Sequence, residues 1–531
     1  METIAGKALV WAGHQFSNRE AAVFEGQRFS FHYIHERSNR LAHALRGLGL
    51  QADDRVAVLL HNCVASMETL FGITKAGLAC VSLNARHTRE EHLGILLDSG
   101  TSLIIAGPEF EEVMASLAGE VPGLKGIVGI GWEHGGFPGY ERFLEMASST
   151  DPAYRVPVTS IYRVAYTSGT TGKPKGVVST IERNEARLAN FFAALEYPLG
   201  VSESMVHVGP LTHAAGNYML PYFMRGARNL IMPQFDVERL LETILREKVT
   251  HLLLVPTMIV RVLEALENNP RELTSVTRIN YGTAPIPRDI LRRGLERLGP
   301  VFRQHYGMTE APQPLTLLYP HEHLLEGPEE VVRRIESCGR PTINVEITIR
   351  QENGSEAPLG EVGEIAVLAQ GVADVTYWNN PENTRELIRD GWLYTGDLGW
   401  MDEAGYLFIV GRKKDMIISG GYNIYAKEVE DALYRHPQVL EAAVAGIPDP
   451  EWGESVCAFV VMKNGQRLSP EALIEHTRQL IASYKKPRHV EFLETLPKNL
   501  AGKVDKNRLR EDFLSKKGTD ASGSTSVQAR Y

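Results

Sequence analysis

Along most of the chain, apolar positions switch between the helical period and short continuous runs. From Ser30 the residues Ile34, Leu41, Leu45 and Leu48 recur at helical spacing, with Ser30 as a cap and Gly49 as a stop. The run Arg55 to Leu60 then reads as a buried strand, and a helix is predicted from Ala65 to Lys75. Further strands are predicted at Ala79 to Leu83, Ser102 to Ala106 and Gly126 to Ile130. The alternation resumes with strands at Met205 to Gly209, Asn229 to Met232, His251 to Val255 and Arg278 to Tyr281, and a helix from Val237 to Lys248. Strands that alternate with helices build βαβ units on a parallel sheet. Two such blocks imply either two sheets or one large layered domain, and the pattern does not choose between them.

Past Gly339 the texture changes. Val345 to Ile349 and Gly363 to Ala369, separated by Gly and Pro, predict a small β-rich section, and a helix is predicted again from Glu471 to Ala482. With 531 residues the chain exceeds the ~250 to 300 that one core serves. The expected fold class is α/β. A large N-terminal domain of layered α/β sheets with the β-rich section would span residues 1–412, a small α+β C-terminal domain 413–517, and a disordered polar tail 518–531.

Net charge is −9, from 56 basic and 65 acidic residues, which offers no electrostatic footprint for nucleic acid. Cys63, Cys80, Cys338 and Cys457 are scattered, which suits a reducing compartment and argues against a zinc or disulfide framework. No apolar run approaches the ~18 residues of a membrane span, and the first residues lack a secretory head. A cytoplasmic location with no integral membrane segment is expected.

The stretch Thr167 to Gly176, TSGTTGKPKG, carries the chemistry. It consists mostly of Gly, Ser and Thr, so its backbone can wrap an oxyanion while Lys173 and Lys175 add positive charge. The preceding Ser160 to Tyr166 reads as a strand, so the loop should leave a strand end, where open α/β sheets bind ligands. A Walker loop is excluded, since that pattern needs Ser or Thr after its GK pair and Pro174 stands there.

This loop resembles the signature of the adenylate-forming enzymes: the acyl-CoA synthetases, firefly luciferase and the adenylation domains of peptide synthetases. The resemblance spans roughly residues 30 to 515, with its motifs in the family's order. It implies an AMP-forming acyl-CoA synthetase, in which a carboxylic acid and ATP give acyl-AMP and pyrophosphate, and coenzyme A then takes the acyl group. Thr167, Ser168, Gly169, Thr170, Thr171, Gly172, Lys173 and Lys175 would bind the nucleotide phosphates.

Further motifs divide the remaining tasks. In HYGMTEAP a carboxylate beside a hydroxyl can hold Mg²⁺ against phosphate oxygens. The resemblance makes Glu310 the magnesium ligand, Thr309 a phosphate contact, Tyr306 a ring on the adenine and Gly307 part of the same turn. GTAP places Thr283, Ala284 and Pro285 at a strand end as the adenine loop. YTGD sets Asp397 in a tight Gly turn, where a carboxylate can accept both ribose hydroxyls, and the resemblance adds Arg412 as a second ribose contact.

Near the C-terminus, LPKNLAGKVDK contains Lys503, whose ammonium would stabilise charge between the carboxylate and the α-phosphate. Asn499 and Ala501 depart from the family's usual Thr and Ser, and Lys498 and Lys506 are the nearest competitors. The resemblance implies a mobile small domain hinged at Lys414, with Gly420 and Gly421 lining a tunnel for the pantetheine thiol. It also places His213, Gly282 and Pro312 in the acyl pocket, and His213 stands where amino-acid-activating relatives tend to carry Asp.

The expected cofactors and partners are ATP, Mg²⁺, coenzyme A and a small-molecule carboxylic acid: aryl, alicyclic or medium- to long-chain. The alternatives are transfer to a carrier-protein thiol and, from another class, a non-catalytic nucleotide sensor. A homodimer is the default assembly.

Overall fold

Two sheets form most of the N-terminal part, which settles the choice the periodicity left open. The computed structural model describes residues 1–167, 174–194, 199–212, 215–284, 286–312, 314–463, 466, 468–498 and 503–523, with side chains to 516.

The seven-stranded sheet runs in the order Thr376–Tyr377, Lys175–Thr180, Ile161–Thr167, Ala79–Ser82, Arg55–Leu59, Leu103–Ala106, Ile127–Gly129. Its last five strands are mutually parallel, as alternating strands and helices require. Val56, Val58, Leu103 and Ile105 pack against Leu41 and Leu45 of the helix Phe31–Gly47. Ala57, Leu59, Val81 and Ile104 face Ile95, Leu96 and Met114 on the other side. Each fully buried aliphatic chain contributes about 1.5 to 3 kcal/mol, so both faces are held mainly by this burial.

The nine-stranded sheet follows the order Arg340–Pro341, Thr316–Leu318, Phe302–Tyr306, Arg278–Gly282, His251–Leu254, Ser204–His207, Arg228–Ile231, Glu20–Phe24, Gln27–Ser30. The strand Glu20–Phe24 comes from near the start of the chain and pairs in parallel with Arg228–Ile231, a partner no local pattern could announce. Ser30 caps the helix that follows, its hydroxyl accepting from the Tyr33 amide at 3.0 Å.

The β-rich section is a five-stranded sheet built on Ile347–Arg350, Gly363–Leu368 and Trp392–Met401, and it ends with Leu407–Arg412. The chain then passes through the short turn Lys413–Asp415 into a separate sheet of Ile417–Ser419, Tyr422–Ile424, Val439–Asp449, Gly453–Met462 and His489–Phe492. Its helix Pro470–Leu480 is capped by Ser469.

Two expectations are corrected. The YTGD segment is not a tight turn: it lies within the strand Trp392–Met401, where the ladder shifts register and Gly396 takes φ 72°. A bulge of this kind re-aims side chains without ending the strand. The last helix, Lys506–Gly523, runs into the stretch expected to be disordered; it is anchored by the buried Leu509 and Phe513, from which its backbone hydrogen bonds propagate.

Candidate active site

The phosphate loop connects two antiparallel strands, and its flanking residues Thr167 and Lys175 face each other across the ladder. Ser168, Gly169, Thr170, Thr171, Gly172 and Lys173 lie outside the described residues, as do Pro285 and His213. Lys175 is tied to the wall rather than left to the loop. Its Nζ donates to Asn383 Oδ1 and sits 5.4 Å from the centre of the Tyr377 ring. The strand Thr376–Tyr377 pairs with Val177 and Val178, which brings this segment alongside the loop.

Glu310 is buried, and its Oε1 accepts a 2.9 Å hydrogen bond from the Tyr377 hydroxyl. Its backbone carbonyl accepts from the guanidinium of Arg183, which also donates to the carbonyls of Val178 at 2.7 Å and Val372 at 3.0 Å. Arg183 is therefore a buried cation clipped to carbonyls from three segments. Burial lowers its pKa to about 10, with the Glu310 charge opposing that shift. Thr309 beside it is exposed, so the pair offers one fixed carboxylate and one exposed hydroxyl.

A second cluster forms where the β-rich sheet meets the strand Phe302–Tyr306. The Tyr306 hydroxyl donates to Asp397 Oδ2 at 2.8 Å, and Arg412 Nε lies 3.0 Å from Asp397 Oδ1. Asp397 and Arg412 are cross-strand partners, so sheet pairing presets their contact. Burial, then the Asp397 charge, keeps the Tyr306 phenol well above its ordinary range and hence neutral. Each carboxylate oxygen of Asp397 retains a second lone pair, so both can still accept hydroxyl donors.

At the end of the strand Arg278–Gly282, Thr283 adopts φ 67°, a left-handed conformation uncommon for a β-branched residue. Its Oγ1 is buried without a hydrogen-bond partner among the described residues. A strained backbone with an orphaned hydroxyl at the end of a parallel strand is a signature of a ligand loop. Gly282 beside it is obligatory: a Cβ there would lie 2.1 Å from the His305 carbonyl oxygen. Ala284, Gly307 and Pro312 are partly buried around the same strand ends.

Lys503 stands next to Val504, which bridges to Lys498, and the Asp505 amide donates to the Pro497 carbonyl at 2.9 Å. Its ammonium lies within electrostatic reach of both Arg412 and Asp397. Burial and then Arg412 lower its pKa to about 8, while Asp397 pulls the other way. The two competing lysines are occupied elsewhere, Lys498 with Glu441 at 2.6 Å and Lys506 with Glu430 at 2.7 Å.

The expected hinge residue lies two positions after Arg412, and the expected tunnel residues lie on the first hairpin beyond it. Lys414 is exposed on the turn Lys413–Asp415 that joins the two sheets, and its neighbour Lys413 pairs with Glu364 at 3.0 Å. Gly420 and Gly421, both at positive φ, form the turn of the hairpin between Ile417–Ser419 and Tyr422–Ile424. The Gly420 amide donates to the Trp452 carbonyl at 2.9 Å.

Residue-by-residue reading missed Arg183 and Tyr377. Arg183 shares the helix Ile181–Ala193 with other charges, Arg187 buried among them, and it is set apart by the three backbone carbonyls its guanidinium reaches. Tyr377 opens the polar run YWNNPENT, whose cluster of Asn and Pro was the available signal.

Comparisons with known proteins match the chain over both parts of the fold. The family model described as AMP-binding enzyme matches residues 9–378, and that described as AMP-binding enzyme C-terminal domain matches residues 428–503. The chain is 36% identical over 498 residues to a feruloyl-CoA synthase of Amycolatopsis sp, covering 92% of this chain and 94% of the relative. It is 35% identical over 526 residues to a fatty acid–[acyl-carrier-protein] ligase of Streptomyces coeruleorubidus, covering 97% of each. Among solved structures, an anthranilate CoA ligase in complex with anthranoyl-AMP superposes with TM-score 0.86 at 26% identity, over 96% of this chain and 98% of that one. With both of its domains matched and its fold shared along nearly the whole length, the chain belongs to the family of AMP-binding, adenylate-forming enzymes.

Proposed function

We propose that the protein is an AMP-forming acid–CoA ligase acting on an aryl, alicyclic or medium- to long-chain carboxylic acid. The observation that carries this reading is the Asp397, Arg412 and Tyr306 cluster, with Lys503 of the C-terminal segment in electrostatic range of its charges. In the first half-reaction a carboxylate oxygen attacks the α-phosphorus of ATP, the bond to the β-phosphate oxygen breaks, and pyrophosphate leaves. Lys503 neutralises charge shared by the incoming carboxylate and the α-phosphate. Asp397 accepts the ribose hydroxyls, held in place by Tyr306 and Arg412. Thr283 and Ala284 border the adenine, and Gly282, Gly307, Pro312 and His213 border the acid. In the second half-reaction the CoA thiol gives up its proton, its sulfur attacks the acyl carbonyl, and AMP leaves.

A buried carboxylate with one oxygen fixed by Tyr377 suits a divalent cation, and Glu310 would hold Mg²⁺ together with nucleotide oxygens. When bound, Mg²⁺ supplies charge neutralisation on the phosphates. We assign the two working units to residues 1–412 and 413–517, with Lys414 as the pivot that exchanges Lys503 for the Gly420 and Gly421 hairpin between half-reactions. A cytoplasmic location and a homodimer complete the proposal.

The test is acid-dependent exchange of labelled pyrophosphate into ATP across a panel of aryl, alicyclic and fatty acids, followed by AMP release with CoA as acceptor. Exchange with none of these acids would refute the reading. A second reading, transfer to a carrier-protein thiol, is favoured by the 35% identical carrier-protein ligase. Acyl transfer to a holo carrier protein in preference to CoA would establish it.

A further inference from the structure

We propose that His14, His35 and Asp151 form a binding site for a borderline divalent transition metal, Zn²⁺ first among them, separate from the nucleotide site. The three residues come from distant segments: the helix Lys7–Gln15, the helix Phe31–Gly47 and the connection preceding the strand Arg155–Pro157. His14 Nε2 lies 2.6 Å from Asp151 Oδ2, and His35 Nε2 lies 2.9 Å from Asp151 Oδ1. All three donor atoms fall within 4.8 Å of one another. Two imidazole nitrogens and one carboxylate oxygen are the donor set of three-ligand zinc sites, where metal–ligand distances of about 2.0 to 2.2 Å place the donors roughly 3.4 Å apart. Small movements of exposed side chains reach that spacing, and water can take the fourth position.

The surroundings hold the donors in place before any ion arrives. Asn39 Nδ2 donates to Asp151 Oδ1 at 3.2 Å and to the Ser149 carbonyl at 3.0 Å, which fixes the connecting segment. His35 is buried, and its Nδ1 meets Lys75 Nζ at 3.1 Å. Lys75 is itself held by Ser38 Oγ at 2.8 Å and Asn39 Oδ1 at 2.7 Å. The Lys75 contact behind the ring fixes the orientation of the imidazole. The helix Lys7–Gln15 approaches so closely that a Cβ at Gly13 would lie 2.3 Å from His35 Nδ1. The outer ligands are open to solvent, with side-chain exposures of 63% for His14 and 42% for Asp151, so an ion can enter without unfolding the chain. A metal bound there would tie the connection that carries Asp151 to two helices already packed through Leu9, Ala12, Phe31 and Ile34.

The test is titration of the full-length, untagged protein with Zn²⁺ by calorimetry, together with thermal melts with and without Zn²⁺. The same measurements are made on His14→Ala and Asp151→Asn. The expected result is one Zn²⁺ per chain and a raised Tm, with affinity falling by roughly tenfold or more and the Tm rise lost in either variant. Acid-dependent pyrophosphate exchange should be unchanged in His14→Ala, which keeps this proposal distinguishable from the nucleotide-site reading. No Zn²⁺ binding by the wild-type chain, or binding indifferent to both substitutions, overturns it.

Discussion

The Tyr377 hydroxyl donates a 2.9 Å hydrogen bond to Oε1 of Glu310, from a two-residue strand laid against the strand that follows the phosphate loop. This single contact couples the segment after Tyr306 to the loop's own hairpin, because Lys175 leans on the same ring.

If Glu310 holds Mg²⁺, Tyr377→Phe removes a hydrogen bond to a charged group, worth about 1.5 to 3 kcal/mol. Affinity for the metal–nucleotide should fall by roughly ten- to a hundredfold. Mn²⁺ binding followed by electron paramagnetic resonance, in the presence of a non-hydrolysable ATP analogue, measures this without turnover. An unchanged Mn²⁺ affinity would mean that Tyr377 serves packing alone.

Lys503→Ala should lower the adenylation rate by roughly a hundred- to a thousandfold, the scale of losing one preorganised charge at the transition state. Thioester formation from supplied acyl adenylate should survive. Equal loss in both half-reactions would remove Lys503 from its assigned step.

The same lysine sets a pH dependence. Its pKa is lowered to about 8 where it sits, so the local arrangement favours the neutral amine, whereas the chemistry needs the ammonium. The sign for the rate follows from the second requirement: kcat/KM for adenylation should be flat below about 8 and decline as pH rises through that value, since this ratio reports the free enzyme. Lys503→Arg should move the decline beyond the accessible range. A wild-type profile level to pH 10 would contradict the assignment.

Much of this site was legible one element at a time. The strands Arg55–Leu59, Ala79–Ser82 and Leu103–Ala106 are continuous apolar runs because both faces of a parallel sheet are covered, and such runs announce themselves. Thr283, Glu310, Asp397 and Lys503 were singled out because each sits in a short motif. Contacts between elements were not legible. The pairing of Glu20–Phe24 with Arg228–Ile231 spans some two hundred residues, and local periodicity carries no information about partners. Burial of Arg183 is likewise a tertiary fact, since its carbonyl acceptors come from three separate segments. The bulge at Gly396 looked like a turn because Thr-Gly-Asp is turn chemistry in isolation, and only the two flanking strands hold it extended.

Gly282 supplies a stability prediction. A Cβ at this position would lie 2.1 Å from the His305 carbonyl oxygen, and the backbone on the neighbouring strand cannot yield without breaking its pairing. Gly282→Ala should therefore cost about 1 to 3 kcal/mol or more through overpacking, visible as a lower midpoint in chemical unfolding. Gly405→Ala, in open space at φ 80°, separates the two causes: it carries the conformational strain without the clash. A larger loss at Gly405 than at Gly282 would show that strain, and not the close approach of strands, governs these sites.

Asp431 ties stability to pH through the C-terminal unit. Burial raises its carboxyl pKa to about 7; Lys427 opposes the rise, and the carboxylates of Glu430 and Glu336 add to it. Glu430 is itself paired with Lys506, and Glu336 with Arg288. The unfolded chain titrates this group near 3.9. A raised folded-state value means that the neutral acid is the form the fold accepts, so its contribution is fully present below about 4 and is lost as pH rises through about 7. Asp431→Asn mimics the neutral acid at every pH, so its stabilising effect relative to wild type should be larger at pH 8 than at pH 5. Urea unfolding at the two pH values measures the difference. A gain of equal size at both would assign the effect to the amide's hydrogen bonds rather than to the buried charge.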